Sequence, residues 1–426
     1  MSTTNQQVLA APSYIARSGR SLWRDLCAYW ILGLCNNYGY VVMLSAAHDI
    51  IGQFHYDDLS DYADAVGKGR HCHIVSTGAI LLADILPSLF VKIIMPFFPF
   101  WVQIALAVCF SATGFLLVGF ASFKWMALLG VIVTSASSGI GETTFLGYSS
   151  NFNKQVFLSR IYNAFIMEFY YRNVVSTWSS GTGGAGVIGS LSYAMLRSLN
   201  VSPRDTMLIM LFFPCIEALT FWVMLRKPII LPVVTVESTE QLIENDKPLV
   251  GFKEKLAYIK KLVKYMLPLG LVYLFEYFIN QGLFELIYFQ NTVLDGASQY
   301  RWLNVAYQIG VFVSRSSVNI FQFEKIWLTS VFQFINVVYF STEVIYFYTP
   351  SIWLTFAIVL WEGLLGGGAY VNTFYRMSKE ITPAKQQFAM AMVVQSDSYG
   401  IALAGFLAIP FHNAICLLPA PIRGLI

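Results

Sequence analysis

Residues 181–186 read GTGGAG, the G-x-G-x-x-G spacing that cradles a dinucleotide pyrophosphate between a strand and a helix. What surrounds the motif decides the fold. Nucleotide binding needs a preceding strand and a soluble βαβ unit, and the phosphate-loop variant needs a lysine after the last glycine. Neither is present: the motif lies inside the apolar run 174–197, and Val187 follows Gly186. On helical spacing, Gly181, Ala185 and Gly189 form one small-residue stripe, and Thr182, Gly186 and Ser190 the next. Such stripes let a neighbouring backbone approach closely within a bilayer. Gly181, Gly183, Gly186 and Gly189 are therefore read as helix-packing positions, with Gly366 and Gly367 of the run GLLGGGAYV as their counterparts.

The rest of the chain is written in the same language. Of 426 residues, 56% are hydrophobic, 16% aromatic and only 12% charged, the last about half the share of a soluble domain. Apolar runs of roughly 20 residues, the length of a helix that crosses a bilayer, recur along it. The expected fold class is all-α, a polytopic transmembrane protein with spans near 26–48, 74–98, 101–121, 125–149, 174–197, 205–225, 265–290, 302–321, 326–348, 351–375 and 386–410. A formal charge of +3 with dispersed bases excludes a nucleic-acid face. The six cysteines sit mostly in apolar runs without C-x-x-C spacing, and read as small buried apolar residues rather than disulfides or zinc ligands. No apolar stretch precedes the first span, so no cleavable signal peptide is expected. Nothing points to a cofactor or metal, and without H-E-x-x-H, G-x-S-x-G or a His box no enzyme is expected. The partners implied are the lipid bilayer and a small-molecule substrate.

With a cytoplasmic amino terminus, 18 Lys and Arg fall on the cytoplasmic side and seven on the other, the positive-inside asymmetry that fixes orientation. The segment 156–172 (VFLSRIYNAFIMEFYYR) would break that parity as a further crossing; its spread charges make it an amphipathic stretch at the interface. The domains are then a tail 1–25, an amino-terminal half 26–226 of six spans, a cytoplasmic loop 227–264, a carboxyl-terminal half 265–412 of five spans, and a tail 413–426. The halves echo each other. Asn36 and Asn37 in the first span match Asn280 and Gln281 in the seventh; Glu142 and Glu362 both stand beside glycines in the fourth and tenth. Such pseudo-symmetry marks transporters whose halves rock about a midplane site.

Charges inside a bilayer are expensive, so each one invites a role. The candidates are Asp84, Glu142, Glu276, Glu285, Arg315, Glu362 and Asp397. Glu276 and Asn280 share a helix face, as do Gln308 and Arg315. With Asn36 and Asn37 they are the candidate substrate-binding residues, Arg315 either meeting an anionic group or making a structural ion pair. Glu142, Glu362 and Asp397 are candidate proton carriers, or else helix-to-helix hydrogen-bonding acids. Asp84 and Lys92 are read as snorkelling to opposite polar regions. All five histidines fall on the non-cytoplasmic side, with His48, His71 and His73 the candidate pH sensors, although surface loops commonly hold histidine. The HCH at 71–73 lacks the further ligands of a zinc site.

The blocks LGLCNNYGYVVMLSAAHDI, LLADILPS, SSGIGETTFLG, WSSGTGGAG, EYFINQGLFEL, YQIGVFVSRSS and EGLLGGGAYVNTF, in that order from about 26 to 412, closely resemble the battenin family, the Batten-disease (neuronal ceroid lipofuscinosis) proteins. The resemblance implies a lysosomal or vacuolar membrane protein, late endosomes included, with a fold related to the major facilitator and equilibrative nucleoside transporters. It also implies roles in lysosomal pH homeostasis, arginine handling and glycerophosphodiester clearance. Three departures stand out. Region 151–172 looks like an insertion; PAPIRGLI lacks a prenylation box; and the acidic dileucine sorting signal is reduced to ESTEQLI, with Leu242 and Ile243 as its hydrophobic pair. Asn200 in NVS is the candidate glycosylation site, weakened by Pro203. A transporter of small organic solutes is the leading expectation; the alternative is a non-transporting adaptor whose 227–264 loop recruits trafficking partners.

Overall fold

The computed structural model describes residues 19–52, 76–95, 98–225, 251–290, 292–317 and 321–419, and every regular element among them is helical. The amino-terminal half holds α1 (Gly19–Ser45), a short α2 (Ala47–Gly52), α3 (Thr77–Ile94), α4 (Phe100–Gly119), α5 (Lys124–Ser198), α6 (Pro203–Ile209) and α7 (Phe212–Leu219), the last running into a π-helical turn at Thr220–Met224. In the carboxyl-terminal half, α8 (Phe252–Phe278) passes into a π-helical turn at Ile279–Leu283, followed by α9 (Gly296–Ser316), α10 (Trp327–Tyr346), α11 (Ile352–Glu380) and α12 (Pro383–Cys416). Local sequence sets the boundaries. Ser76, Asp295 and Ser351 cap α3, α9 and α11 by accepting from Gly78, Ser298 and Trp353 amides, and Pro203 and Pro383 open α6 and α12.

Straight, the 75 residues of α5 would reach about 110 Å. The chain instead reverses. Gly39 of α1 faces Thr134, and Asn36 donates to Ser138 O at 3.1 Å, while Trp30 donates to Ser180 Oγ at 3.4 Å and Val41 meets Gly189. The first arm thus runs antiparallel to α1 and the second parallel to it, so direction changes between Phe145 and Val174. These arms hold the expected spans 125–149 and 174–197. Segment 156–172 belongs to the helical backbone, and its side chains lie outside the described residues.

Among the described residues, eight helical segments are long and apolar enough to cross a bilayer on length and composition alone. The expected spans outside that set, 26–48, 174–197 and 302–321, lie in α1, the second arm of α5, and α9. Their polarity has a physical reason: each is enclosed by other helices, so its polar side chains meet protein rather than lipid. Outward faces are apolar, with Trp101, Trp125, Phe90, Trp222, Trp353 and Phe406 all exposed. Paired glycines close the crossings: a Cβ at Gly310 would strike Leu360 O and one at Gly363 would strike Tyr307 O, while Gly181 lies against Trp30 O.

The cysteines depart from expectation. Cys416 is disulfide-bonded, and Cys27, Cys109 and Cys215 are free but exposed, leaving Cys35 as the buried free thiol among the described residues. Outward-facing thiols are tolerated where the surrounding medium is lipid.

Candidate functional site

The polar groups gather at two levels. Inside the bundle Arg315 closes the last turn of α9, where the carbonyl end of a helix favours a cation. Its guanidinium donates to Thr182 Oγ1 at 3.1 Å and Tyr273 Oη at 2.9 Å, and lies 4.4 Å above the Tyr370 ring. Thr182 belongs to the amino-terminal half, so this one side chain joins the two halves; Arg315 Nε has no partner among the described residues. Gly183 packs on Arg315 Cδ and Phe312, and Gly186 faces the Gln308 amide. The two stripes of GTGGAG therefore serve different neighbours, Gly181, Ala185 and Gly189 facing α1 and Thr182 and Gly186 facing α9.

Lys92 does not snorkel. Phe90 and Ile93 face outward, which turns Lys92 inward; it is 8% exposed and pairs with Glu142 Oε2 at 2.6 Å. Its Nζ is also 3.5 Å from Ser398 Oγ of α12, which donates to Asp397 Oδ1 at 2.9 Å. A lysine from α3, a glutamate from α5 and an aspartate from α12 thus meet across the boundary between the halves. Asp84 is fully buried, and neither carboxylate oxygen has a partner among the described residues.

Glu276 and Glu362 are 2% and 0% exposed. The Glu276 carboxylate lies on the α11 backbone at Gly366, one turn beyond Glu362, in space that only a glycine leaves open. Gly367 abuts Ser314 Oγ and Val311 O. Asn280 is buried in the π-helical turn, while Asn36 is held between α1 and α5 and Asn37 reaches only Gly33 O of its own helix, at 3.5 Å.

At the end of the bundle carrying α2, ion pairs close the halves together. Asp49 accepts from Arg301 Nη1 at 2.8 and 3.0 Å, from Arg197 Nε at 3.1 Å and from Tyr193 Oη at 2.8 Å. Glu285 accepts from Ser76 Oγ at 2.7 Å and Thr77 N at 3.1 Å, with His412 Nε2 at 3.8 Å. Tyr300 donates to Leu44 O at 3.1 Å and Gln281 Oε1 at 3.0 Å. His48, just beyond α1, stacks on Tyr300 with centroids 5.7 Å apart. Burial, and next to it the Arg301 charge, lower its pKa from the ordinary 6.5, with Asp49 and Asp295 pulling upward.

The family model described as CLN3 protein matches residues 27–248 and 233–418. The chain belongs to the CLN3 family. It is 40% identical to "Battenin" of Canis lupus familiaris, over 93% of this chain and 92% of that protein. It is 35% identical to "Protein BTN1" of Yarrowia lipolytica, over 91% of this chain and 94% of that one. Among solved structures, the bacterial homolog of the human lysosomal transporter Spinster, inward-facing and unoccupied, matches at TM-score 0.58 and 13% identity over 91% of this chain and 82% of that one. The D-xylose-proton symporter matches at 0.57 and 13%, over 92% and 90%. At such identities the likeness is one of fold: this CLN3-family member is a multi-span membrane protein with the architecture of major-facilitator transporters.

Of the residues singled out in the sequence, the CLN3-family fold brings Arg315 and Gln308 together with the GTGGAG stripe, and Glu276 together with Glu362 and Gly366. Asn36 and Asn37 stand apart, within the amino-terminal half. Asn200 is exposed in a turn with φ 61°, a conformation asparagine tolerates. His71, His73, Leu242 and Ile243 lie outside the described residues. The groups that sequence reasoning missed are Asp49, Arg197 and Arg301. Each stands at a span end, where charge is ordinary; the one available signal is that opposite charges fall on the same side of the membrane in both halves.

Proposed function

We propose that the protein is a secondary transporter of small organic solutes in the lysosomal membrane, extending to late endosomes, with a cytoplasmic amino terminus and the α2 end facing the lumen. Its substrates are glycerophosphodiesters or basic amino acids such as arginine, and their movement contributes to lysosomal pH homeostasis. The observation that carries this reading is Arg315, a cation inside the bundle that bridges Thr182 of one half and Tyr273 of the other and whose Nε–H has no partner among the described residues. An anion arriving there takes over hydrogen bonds that now join the halves. Binding and rearrangement are thereby linked, the requirement of alternating access. Asp49–Arg301 and Glu285–Ser76 hold the lumenal side shut. Glu142, Glu362 and Asp397 are the acids available to carry a proton, and Glu276, Asn280 and Gln308 shape the C-terminal wall.

Reconstitution tests this reading. Purified protein in liposomes should accumulate a glycerophosphodiester or arginine, faster with a pH gradient than without. Failure of both solutes to move in folded protein removes the reading's main support.

A further inference from the structure

Four oxygen atoms stand out among the hydrogen-bond acceptors of the carboxyl-terminal half: Glu276 Oε2, Glu362 Oε1 and Oε2, and Asn280 Oδ1 have no partner among the described residues. All three side chains are at least nine-tenths buried. A buried acceptor without a donor is costly, and a buried carboxylate without a cation far more so. The two carboxyls are close. Glu276 lies against Gly366, Glu362 precedes Gly366 by one turn on the same face of α11, and the charge of Glu276 acts on Glu362. Between α8 and α11, then, sit two acids facing each other and no hydrogen-bonded base.

The surroundings fix the charge the site can hold. From α9 the Arg315 guanidinium acts on Glu276, and from α12 so does Asp397; Tyr273 on α8 binds Arg315, and Tyr370 on α11 underlies it. From α10, the buried Gln333 and Asn336 are neutral and bond to each other. One cation therefore faces the pair and can balance one carboxylate. The second needs a positive charge of its own, because two carboxylates in low-dielectric surroundings do not both stay ionised. Calcium or magnesium takes about six or more oxygens, beyond the four orphaned acceptors here, and no cluster of three or more His, Cys, Asp or Glu that could hold a metal stands among the described residues. A proton needs only two.

We propose that Glu276 and Glu362 form a dyad that holds a single proton between them, with Arg315 balancing the remaining negative charge. Glu276 lies in the last turn of α8, and the π-helical turn at Ile279–Leu283 that follows Phe278 carries Asn280, the third orphaned side chain. The proton leaves as H⁺ to water when the dyad is exposed on the less acidic side, and is replaced from water on the other. An anionic solute at Arg315 withdraws that balancing charge from Glu276, so solute and proton load together; this coupling rests on the transport reading, whereas the dyad itself does not.

Infrared spectroscopy of the full-length protein in lipid nanodiscs decides it. The wild-type minus Glu362→Gln difference spectrum should show, near neutral pH, a protonated-carboxyl carbonyl band of one-carboxyl amplitude, over a background from other buried unpaired acids such as Asp84 and Glu217 that both proteins share, because Glu276 alone is balanced by Arg315. Glu276→Gln should keep the band and shift it, and the double variant should lose it. A Glu362→Gln spectrum identical to wild type in this region overturns the dyad, and so does a wild-type carboxylate band that responds to sodium and not to pH. In liposomes, Glu362→Gln should retain solute counterflow and lose acceleration by the pH gradient; gradient-driven acceleration equal to wild type also overturns the proposal. Should wild type move no solute at all, the transport reading fails while the infrared result still judges the dyad.

Discussion

The α2 end and the middle of the bundle treat charge in opposite ways. Around Asp49, four hydrogen bonds from Arg301, Arg197 and Tyr193 consume the carboxylate, and Glu285 is likewise bonded to Ser76 and Thr77. In the interior of the bundle, Arg315 Nε, both Asp84 oxygens, Glu276 Oε2 and both Glu362 oxygens have no partner among the described residues. A carboxylate bonded on every side holds one arrangement, even though Arg301 Nε beside it has no partner among the described residues, whereas an unsaturated carboxylate is stabilised by whatever arrives. The first region has the chemistry of a latch and the second that of a binding centre.

The largest effect is expected from breaking the latch. Asp49→Asn leaves Arg301, 6% exposed, without its counter-charge, a loss on the order of 3 to 5 kcal/mol for a buried pair. The closed α2 end should open, and a cysteine introduced beside it should become reactive toward a membrane-impermeant reagent from that side. Unchanged labelling would mean that Asp49 holds nothing shut. Next in size is Arg315→Lys, which keeps the charge but loses the fork that spans Thr182 and Tyr273. Hydrogen bonds to charged groups contribute about 1.5 to 3 kcal/mol, so uptake should fall roughly tenfold to a hundredfold. Uptake equal to wild type would remove Arg315 from the solute's path.

Much of this contrast is invisible in a linear reading, for reasons that differ by region. The apolar runs announce themselves because lipid demands them, and even the polar spans in α1 and α9 were recognisable by length. Mid-span charges such as Arg315 and Glu362 stood out because hydrocarbon makes them rare. Pairing is another matter. Nothing in the spacing of Asp84 and Lys92 indicates that Lys92 turns inward to Glu142, since that depends on which face of α3 meets α5. Asp49 and Arg301 are 252 residues apart, at span ends where charge carries no signal. Cys416 sits in an apolar context whose composition conceals its disulfide.

The glycines sharpen the comparison at a smaller scale. At Gly181 an added methyl would meet the Trp30 carbonyl, which is backbone and cannot move aside; at Gly186 it would meet the end of the Gln308 side chain, which can. Gly181→Ala should therefore destabilise by about 1 to 3 kcal/mol, the usual range for overpacking, and Gly186→Ala by much less. Thermal unfolding in detergent compares them directly. Equal losses would mean that the two stripes face neighbours of the same rigidity.

The smallest expected effect is the dependence of the latch on acidity. With the α2 end closed, burial lowers the pKa of His48 from 6.5, and the Arg301 charge adds to that, against Asp49 and Asp295. Once the end opens and water reaches the ring, the ordinary value returns. The open form therefore binds the proton more readily, and the closed form's advantage is complete above pH 6.5 and lost as pH falls through the lowered value. Acid should therefore raise labelling at the α2 end. Asp49, 4.0 Å from the ring, favours the charged form already in the closed state and so tempers the rise. His48→Gln should flatten the labelling profile across this range while leaving Asp49 paired with Arg301; a profile that keeps its slope would remove His48 from the acid response.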